Sequence, residues 1–272
     1  MRRIAIIVIS LLVLLPVAAV GQSFSTLWKQ ATQAEQRDLP RTQVEVLRKI
    51  AKKAEAEKSY GQLLRAQLKC LTVMNSVSPD SLLPAIRRME EDRGRAANAT
   101  LRAVYDAALC KIYREAAGLG DSAQAKAAFY RRQAMARPDA LARVTDHDYV
   151  PLVIEGKNAS IFNGDMLSVI GCTVEDYQTL FSYYNKAGNR RATCIAALLW
   201  VMKNRPADDV MLMKKSRYRV QLDSLVNVFG DLDVAGEVAV ERYHLMEQCS
   251  DVTVEDKIAY IHYALGRWGQ WQ

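Results

Sequence analysis

The sequence has no Gly-Lys-Ser/Thr phosphate loop, no His-Glu-x-x-His pair and no Gly-x-Ser-x-Gly turn. Nucleotide hydrolysis, zinc-dependent proteolysis and serine-hydrolase chemistry therefore have none of the spacings that usually carry them. A dense basic block is also missing. Lys and Arg number 37 against 30 Asp and Glu, and the pairs Arg131-Arg132 and Lys214-Lys215 read as solvated helix faces rather than a nucleic-acid footprint. Nor is there a disulfide framework of the small secreted kind: Cys70, Cys110, Cys172, Cys194 and Cys249 are odd in number and widely spread. Cys70, Cys110 and Cys194 lie among alanines and leucines at helical spacing, where a free thiol packs as a small apolar group. A single Cys172–Cys194 bridge is the alternative left open.

What is present begins with a leader. Arg2 and Arg3 precede an apolar run over residues 4–17, and Ala19-Val20-Gly21 places small residues at cleavage spacing before Gln22. This is the pattern of a signal peptide over residues 1–21. The run is short for a membrane span and has no stop-transfer flank, and no Cys near the cleavage point offers a lipid anchor. Without Arg2 and Arg3 the basic count is 35 and the formal charge falls from +7 to +5. The expectation is an exported protein, periplasmic or secreted, soluble once cleaved, with no membrane contact thereafter and no nucleic-acid partner.

Helical periodicity dominates the remainder. Leu27, Ala31 and Ala34 mark one face of an opening helix that ends before Asp38-Leu39-Pro40, and Val44, Leu47, Ala51 and Ala54 recur at three- and four-residue steps in the next. Ser59-Tyr60-Gly61 breaks this helix, and Leu64, Leu68 and Leu71 carry the third. Ser78-Pro79-Asp80-Ser81 starts a fourth, with Pro84 in its first turn. Leu101, Val104, Tyr105, Ala108 and Ile112 line a fifth, stopped at Gly118-Leu119-Gly120, and Asp121 is placed to cap a sixth.

Residues 149–171, YVPLVIEGKNASIFNGDMLSVIG, break the pattern with Gly, Asn and β-branched residues. Val150, Leu152 and Ile154 alternate as in a short edge strand. Helix is expected to resume only after Thr173, with Thr173 and Asp176 as a capping box and Cys172 and Tyr177 at staple spacing. Tyr177, Leu180, Phe181 and Tyr184 then line one helix and Cys194, Ala197, Leu198 and Val201 its partner, with three more around 218–229, 234–246 and 254–265.

The fold predicted is all-α: antiparallel helical hairpins stacked as a tetratricopeptide-like solenoid or an irregular bundle, interrupted by one extended or loop segment. An N-terminal array covers 22–145, an extended connector 146–173 and a second array 174–272. A 34-residue register starting at Leu27 places Ala31, Ala34, Leu47 and Ile50 suitably, but the Gly, Tyr and closing Pro signals of that repeat are missing. Trp268 and Trp271 are unusual for a surface tail, so the fold is expected to continue past Gln272.

Asp146-His147-Asp148 is the best local candidate for a metal or acid–base site, since carboxylates beside an imidazole bind zinc or shift the imidazole pKa. Three consecutive residues in a regular element do not converge on one ion, and a plain helix-to-loop junction is the competing account. His244, Cys249 and His262 would need a fourth ligand that the sequence does not offer. Trp28, Tyr105, Tyr130, Tyr184 and Trp200 are among aromatics that either line a concave peptide groove or pack between helices with hydroxyls at the rim; packing is the favoured account. No catalytic, cofactor-binding or metal-binding residue is assigned, and no cofactor is expected.

Three stretches carry a family resemblance: SFSTLWKQATQAEQRDLPRTQVEVLRKIAKKAEAEKSYGQLLRAQL near the start, the island with the following YYNKAGNRRATCIAALL, and the closing KIAYIHYALGRWGQW. Together they resemble the N-terminal helical region of the large alpha-2-macroglobulin-like proteins of the Bacteroidetes. The resemblance implies a helical leader module, with protease inhibition by entrapment, in some members through a Cys–Gln thioester, in domains expected beyond residue 272. Gly171-Cys172-Thr173-Val174-Glu175-Asp176 lacks the thioester glutamine, so no functional residue of the family transfers. The implied role is a non-catalytic scaffold whose partners are proteins: downstream macroglobulin domains, proteases or envelope proteins. The alternative is a self-contained exported adaptor that binds a peptide or an envelope protein.

Overall fold

The computed structural model describes residues 22–115, 119–120, 122–154, 156 and 158–270; the leader over 1–21, the Gly118 stop, the Asp121 cap and Trp271 lie outside the described residues. Among the described residues the secondary structure is helical, with no strand: α1 (Phe24–Gln36), α2 (Pro40–Ala56), α3 (Tyr60–Val77), α4 (Leu82–Gly94), α5 (Ala99–Glu115), α6 (Ala123–Ala134), the single turn α7 (Pro138–Leu141), α8 (Met166–Val174), α9 (Tyr177–Lys186), α10 (Arg190–Lys203), α11 (Arg217–Phe229), α12 (Ala235–Gln248) and α13 (Val254–Trp268). From α1 to α6 and from α7 to α13, each helix packs on the next in sequence. Across the connector, α8 packs on α5 and α6. No described helix is long and apolar enough to cross a membrane.

The hairpins share one turn. Residues 37–39, 57–59 and 187–189 each join two helices through a middle residue in the left-handed region, Asp38 (φ 53°), Lys58 (φ 54°) and Gly188 (φ 75°). In each, the last residue's N–H reaches back to a carbonyl in the preceding helix: Leu39 to Ala34 at 2.9 Å, Ser59 to Ala54 at 2.8 Å, Asn189 to Tyr184 at 3.0 Å. These bonds satisfy carbonyls that a helix end leaves unpaired. The hairpins are not a 34-residue repeat, because α1, α3 and α5 begin at residues 24, 60 and 99, intervals of 36 and 39. The reason is length: α2 and α3 run 17 and 18 residues.

Side-chain caps fix several starts. Ser23, Asn189 and Ser216 accept from Thr26, Ala192 and Arg219 N–H, and Thr253 with Asp256 forms a reciprocal capping box on α13. The expected box of Thr173 and Asp176 is absent. Thr173 lies inside α8, its hydroxyl donating to Val169 O at 2.7 Å, while Asp176 itself caps α9 by accepting from Thr179 N–H.

The connector is neither extended nor helix-free. Residues 146–149 and 159–162 form 3-10 turns, and α8 already starts at Met166. Val150, Leu152 and Ile154 do not form a strand; among the described residues the segment carries one isolated bridge, Thr145 to Asp165. That bridge cinches the base of a loop, with Asp146 N–H donating to Gly164 O and Met166 N–H to Val144 O, both at 2.9 Å. The loop's start docks on α3, where Gly61 has no side chain: a Cβ there would stand 2.4 Å from the carbonyl oxygens of Tyr149 and Val150. Its end runs beneath α9 and α10, with Asn189 Nδ2 donating to Ile161 O at 2.9 Å and the Phe162 ring 5.2 Å from that of Tyr184.

One apolar cluster of buried side chains runs from Leu64 to Cys249, through both arrays and the connector. Smaller clusters sit at the ends, around Leu47 and Ile50 in α1–α3 and around Trp268 against Ala235 and Ala239. Trp268 is therefore core rather than tail, and its indole N–H donates to Gly230 O at 3.1 Å. A charged tie joins the two arrays at Glu175, the left-handed residue (φ 57°) that ends α8. Its carbonyl accepts from Arg131 and Lys203, and its carboxylate pairs with Arg114 at 3.2 Å and Lys203 at 2.9 Å.

Candidate functional site

The three residues Asp146-His147-Asp148 diverge. Asp146 turns inward and is buried, while His147 and Asp148 face solvent. The His147 Nδ1 stands 3.5 Å from Asp146 Oδ1, and the Thr145 hydroxyl accepts from His147 N–H at 3.2 Å. His244 and His262 are exposed on α12 and α13, and Cys249 is buried at the end of α12. Among the described residues no three His, Cys, Asp or Glu side chains are grouped to hold a metal ion.

All five thiols are free, and Cys172 and Cys194 are not bridged. Burial pushes the Cys172 thiol up to about 11 and the Cys194 thiol up to about 12. Both stay protonated, and so weakly nucleophilic, at neutral pH.

Several tyrosines pack between helices and donate to partly buried polar side chains. Tyr113 and Tyr130 both donate to Glu90, at 2.9 and 2.7 Å, Tyr105 to Gln67 and Tyr218 to Glu241. Tyr184 donates to both oxygens of Asp165, at 2.8 Å each. Asp165 also caps α8 by accepting from Ser168 N–H at 2.8 Å. Burial, with Asp146 adding a like charge, holds the Asp165 carboxyl above its ordinary range.

A trough of about 930 Å³ lies between the two arrays. Its floor is Leu68 and Leu71 of α3, Val104 and Ala108 of α5, Val169 of α8, and Ile195 and Leu199 of α10, and residues 152–154 of the connector form one wall. The alternate helices α3, α5, α8 and α10 thus present one face to a common space, as solenoid helices do. The charged side chains at the α5 end are spent on one another: Lys111 to Glu115 at 3.0 Å, Arg114 to Glu115 at 3.3 Å, with Glu175 tied as described. Bonding to Lys111 and to Lys203 respectively holds the Glu115 and Glu175 carboxyls below their ordinary range. The arrangement favours an apolar segment seated by shape, with polar groups at the margins to orient it.

This trough was not visible in the sequence. Its one signal is that α3 carries apolar residues on two faces: Leu63, Leu64 and Ala66 are buried, while Leu68 and Leu71 are only partly covered. Compared with known protein families, with curated proteins and with solved structures, the chain matches none.

Proposed function

We propose that this chain is a non-catalytic helical interaction module at the N-terminus of an exported alpha-2-macroglobulin-like protein, and that its trough receives an apolar polypeptide segment. The carrying observation is the trough itself, built from α3, α5, α8 and α10 and lined mostly by apolar side chains. Supporting it, Glu115 and Glu175 are held in ion pairs and the Cys172 thiol stays protonated, an environment suited to recognition rather than to acyl transfer. The family assignment rests on the sequence resemblance alone. Mass spectrometry of the exported fraction tests it: peptides of this module should co-migrate in one polypeptide with β-rich macroglobulin sequence. A native exported protein ending at Gln272 would sink the family reading.

The second reading is a stand-alone periplasmic adaptor for a peptide or envelope protein. What favours it is that the trough is lined by residues from Leu68 to Leu199 of this one chain. The same mass-spectrometric result that sinks the first reading supports this one.

A further inference from the structure

Beside the trough lies a second pocket of about 350 Å³, which shares Leu68, Thr72 and Leu152 with it and is otherwise built from α1, α2 and α3. Its chemistry differs from the trough's. Gln43 of α2 lines it, is only 4% exposed, and its Nε2 has no acceptor among the described residues. A buried amide donor without a partner is uncommon and points to a group that arrives from outside. Arg65 lines the same pocket, its guanidinium 4.5 Å from the centre of the Trp28 ring, and the Trp28 indole N–H donates to Gln62 at 2.6 Å. Lys69 and Glu35, also in the lining, neutralise each other at 2.6 Å. Arg65 has no ion pair among the described residues, so it is the surplus positive charge of the pocket.

A guanidinium carbon over an indole face leaves N–H groups that can meet the two oxygens of a carboxylate. With Lys69 and Glu35 paired, the charge left over is that of Arg65, which matches the carboxylate that a chain end carries and an apolar chain passing through does not. We propose that this pocket is a subsite for the carboxyl terminus of the polypeptide bound in the trough. Apolar side chains of that polypeptide lie on Leu68, Leu71 and Leu152, its terminal carboxylate pairs with Arg65, and the Gln43 amide donates to the same group. The proposal rests on the reading of the trough as a polypeptide site.

Titration calorimetry on the full chain tests it with three probes: a mixture of N-acetylated hexapeptides randomised over Leu, Ile, Val, Ala and Phe with free carboxyl ends, the same mixture carboxamidated, and a carboxamidated mixture with one internal Glu. The free acids should bind at least tenfold more tightly than either amide. Arg65→Ala and Gln43→Met should each abolish most of that preference. Arg65 is exposed, and Gln43→Met removes an unpaired buried donor without changing side-chain length much, so both variants should keep the wild-type circular dichroism and melting temperature. Acids and amides binding alike would overturn the carboxylate subsite and leave the trough reading standing. Equal binding of the internal-Glu amides and the free acids would overturn the choice of a chain end. No saturable binding of any mixture would overturn both the subsite and the trough reading.

Discussion

Buried between α8, α9 and the connector, the Asp165 carboxylate serves two structural ends: it caps α8 through Ser168 and takes the Tyr184 hydroxyl on both oxygens. Desolvation opposes its charge, and the neighbouring Asp146 adds to that opposition, so its folded pKa lies above the ordinary 3.8. A raised folded pKa means that the folded chain holds the proton more tightly than the unfolded one. The stability tied to this group is complete below the unfolded value and is lost as pH rises through the folded value. Asp165→Asn keeps an acceptor for Tyr184 and Ser168 but does not titrate. In urea unfolding followed from pH 4 to 7, its stability should fall less steeply than wild type over the lower part of that window. Asp106, also raised by burial despite its ion pair with Arg93, keeps the remaining slope. Tyr184→Phe should cost about 2 kcal/mol at pH 7, where a buried charge loses a donor, and less at pH 4. A constant offset from wild type at every pH, in both variants, would show that Asp165 is not the titrating group.

At the scale of the element, the helices were legible and their joints only partly so. Apolar residues three and four apart define a buried face on any helix with a solvated side, which is why α1, α2, α3, α5, α9 and α10 emerge from spacing, while α4 and α6 are marked by their start signals. α8 does not, because Met166, Leu167, Ser168, Ile170, Gly171 and Val174 are buried round most of its circumference. A helix without a polar face shows no 3.6-residue contrast, and the alternating Val150, Leu152 and Ile154 just before it drew the reading toward a strand. Those three residues alternate for no sheet: Leu152 is half-buried on the trough, while Val150 and Ile154 are exposed. The breaks around Asp38 and Lys58 are legible, but their shared geometry is not, since the left-handed position that glycine usually announces is filled by other residues there. The trough escaped because its floor draws on residues as far apart as Leu68 and Leu199.

The sequence marks Gly61 as part of a helix break, yet it sits in the first turn of α3 and admits the connector backbone. Gly61→Ala should therefore destabilise the fold by about 2–3 kcal/mol, the cost of overpacking against backbone that has little room to yield. It should also open the connector to limited proteolysis between residues 143 and 165. Gly94→Ala, at the end of α4 with nothing within 4 Å of the added Cβ, is the matched control and should gain about 0.5 kcal/mol. Equal effects of the two substitutions would mean that connector docking does not depend on the bare Gly61 surface.

For the whole molecule, sequential packing sets how stability is distributed. Each helix rests chiefly on its sequence neighbours, so the array approximates a one-dimensional stack in which end units have one neighbour and inner units have two. The connector breaks that rule at one place. It brings α8 onto both α5 and α6, and the Glu175 tie adds α10 to the same junction. The main core cluster passes through this junction, whereas α1 and α2 rely on a small cluster around Leu47 and Ile50, and α13 on Trp268 packed against two alanines. Local opening free energies follow the amount of buried apolar contact that must be broken. Native-state hydrogen exchange should then show a gradient: amides of α5, α8 and α10 exchange only with global unfolding, and those of α1 and α13 exchange first, with protection lower by two or more orders of magnitude. Two plateaus of protection, one for each array and separated at the connector, would instead mean that the arrays are independent folding units and that the junction at Glu175 contributes little. Under the gradient, a segment bound in the trough contacts the most protected helices along its floor, while a chain end at Gln43 and Arg65 meets the more mobile α1–α3 end. Binding of a free-acid peptide should therefore raise protection in α1 and α2 more than in α5, because the inner helices are already near the global limit.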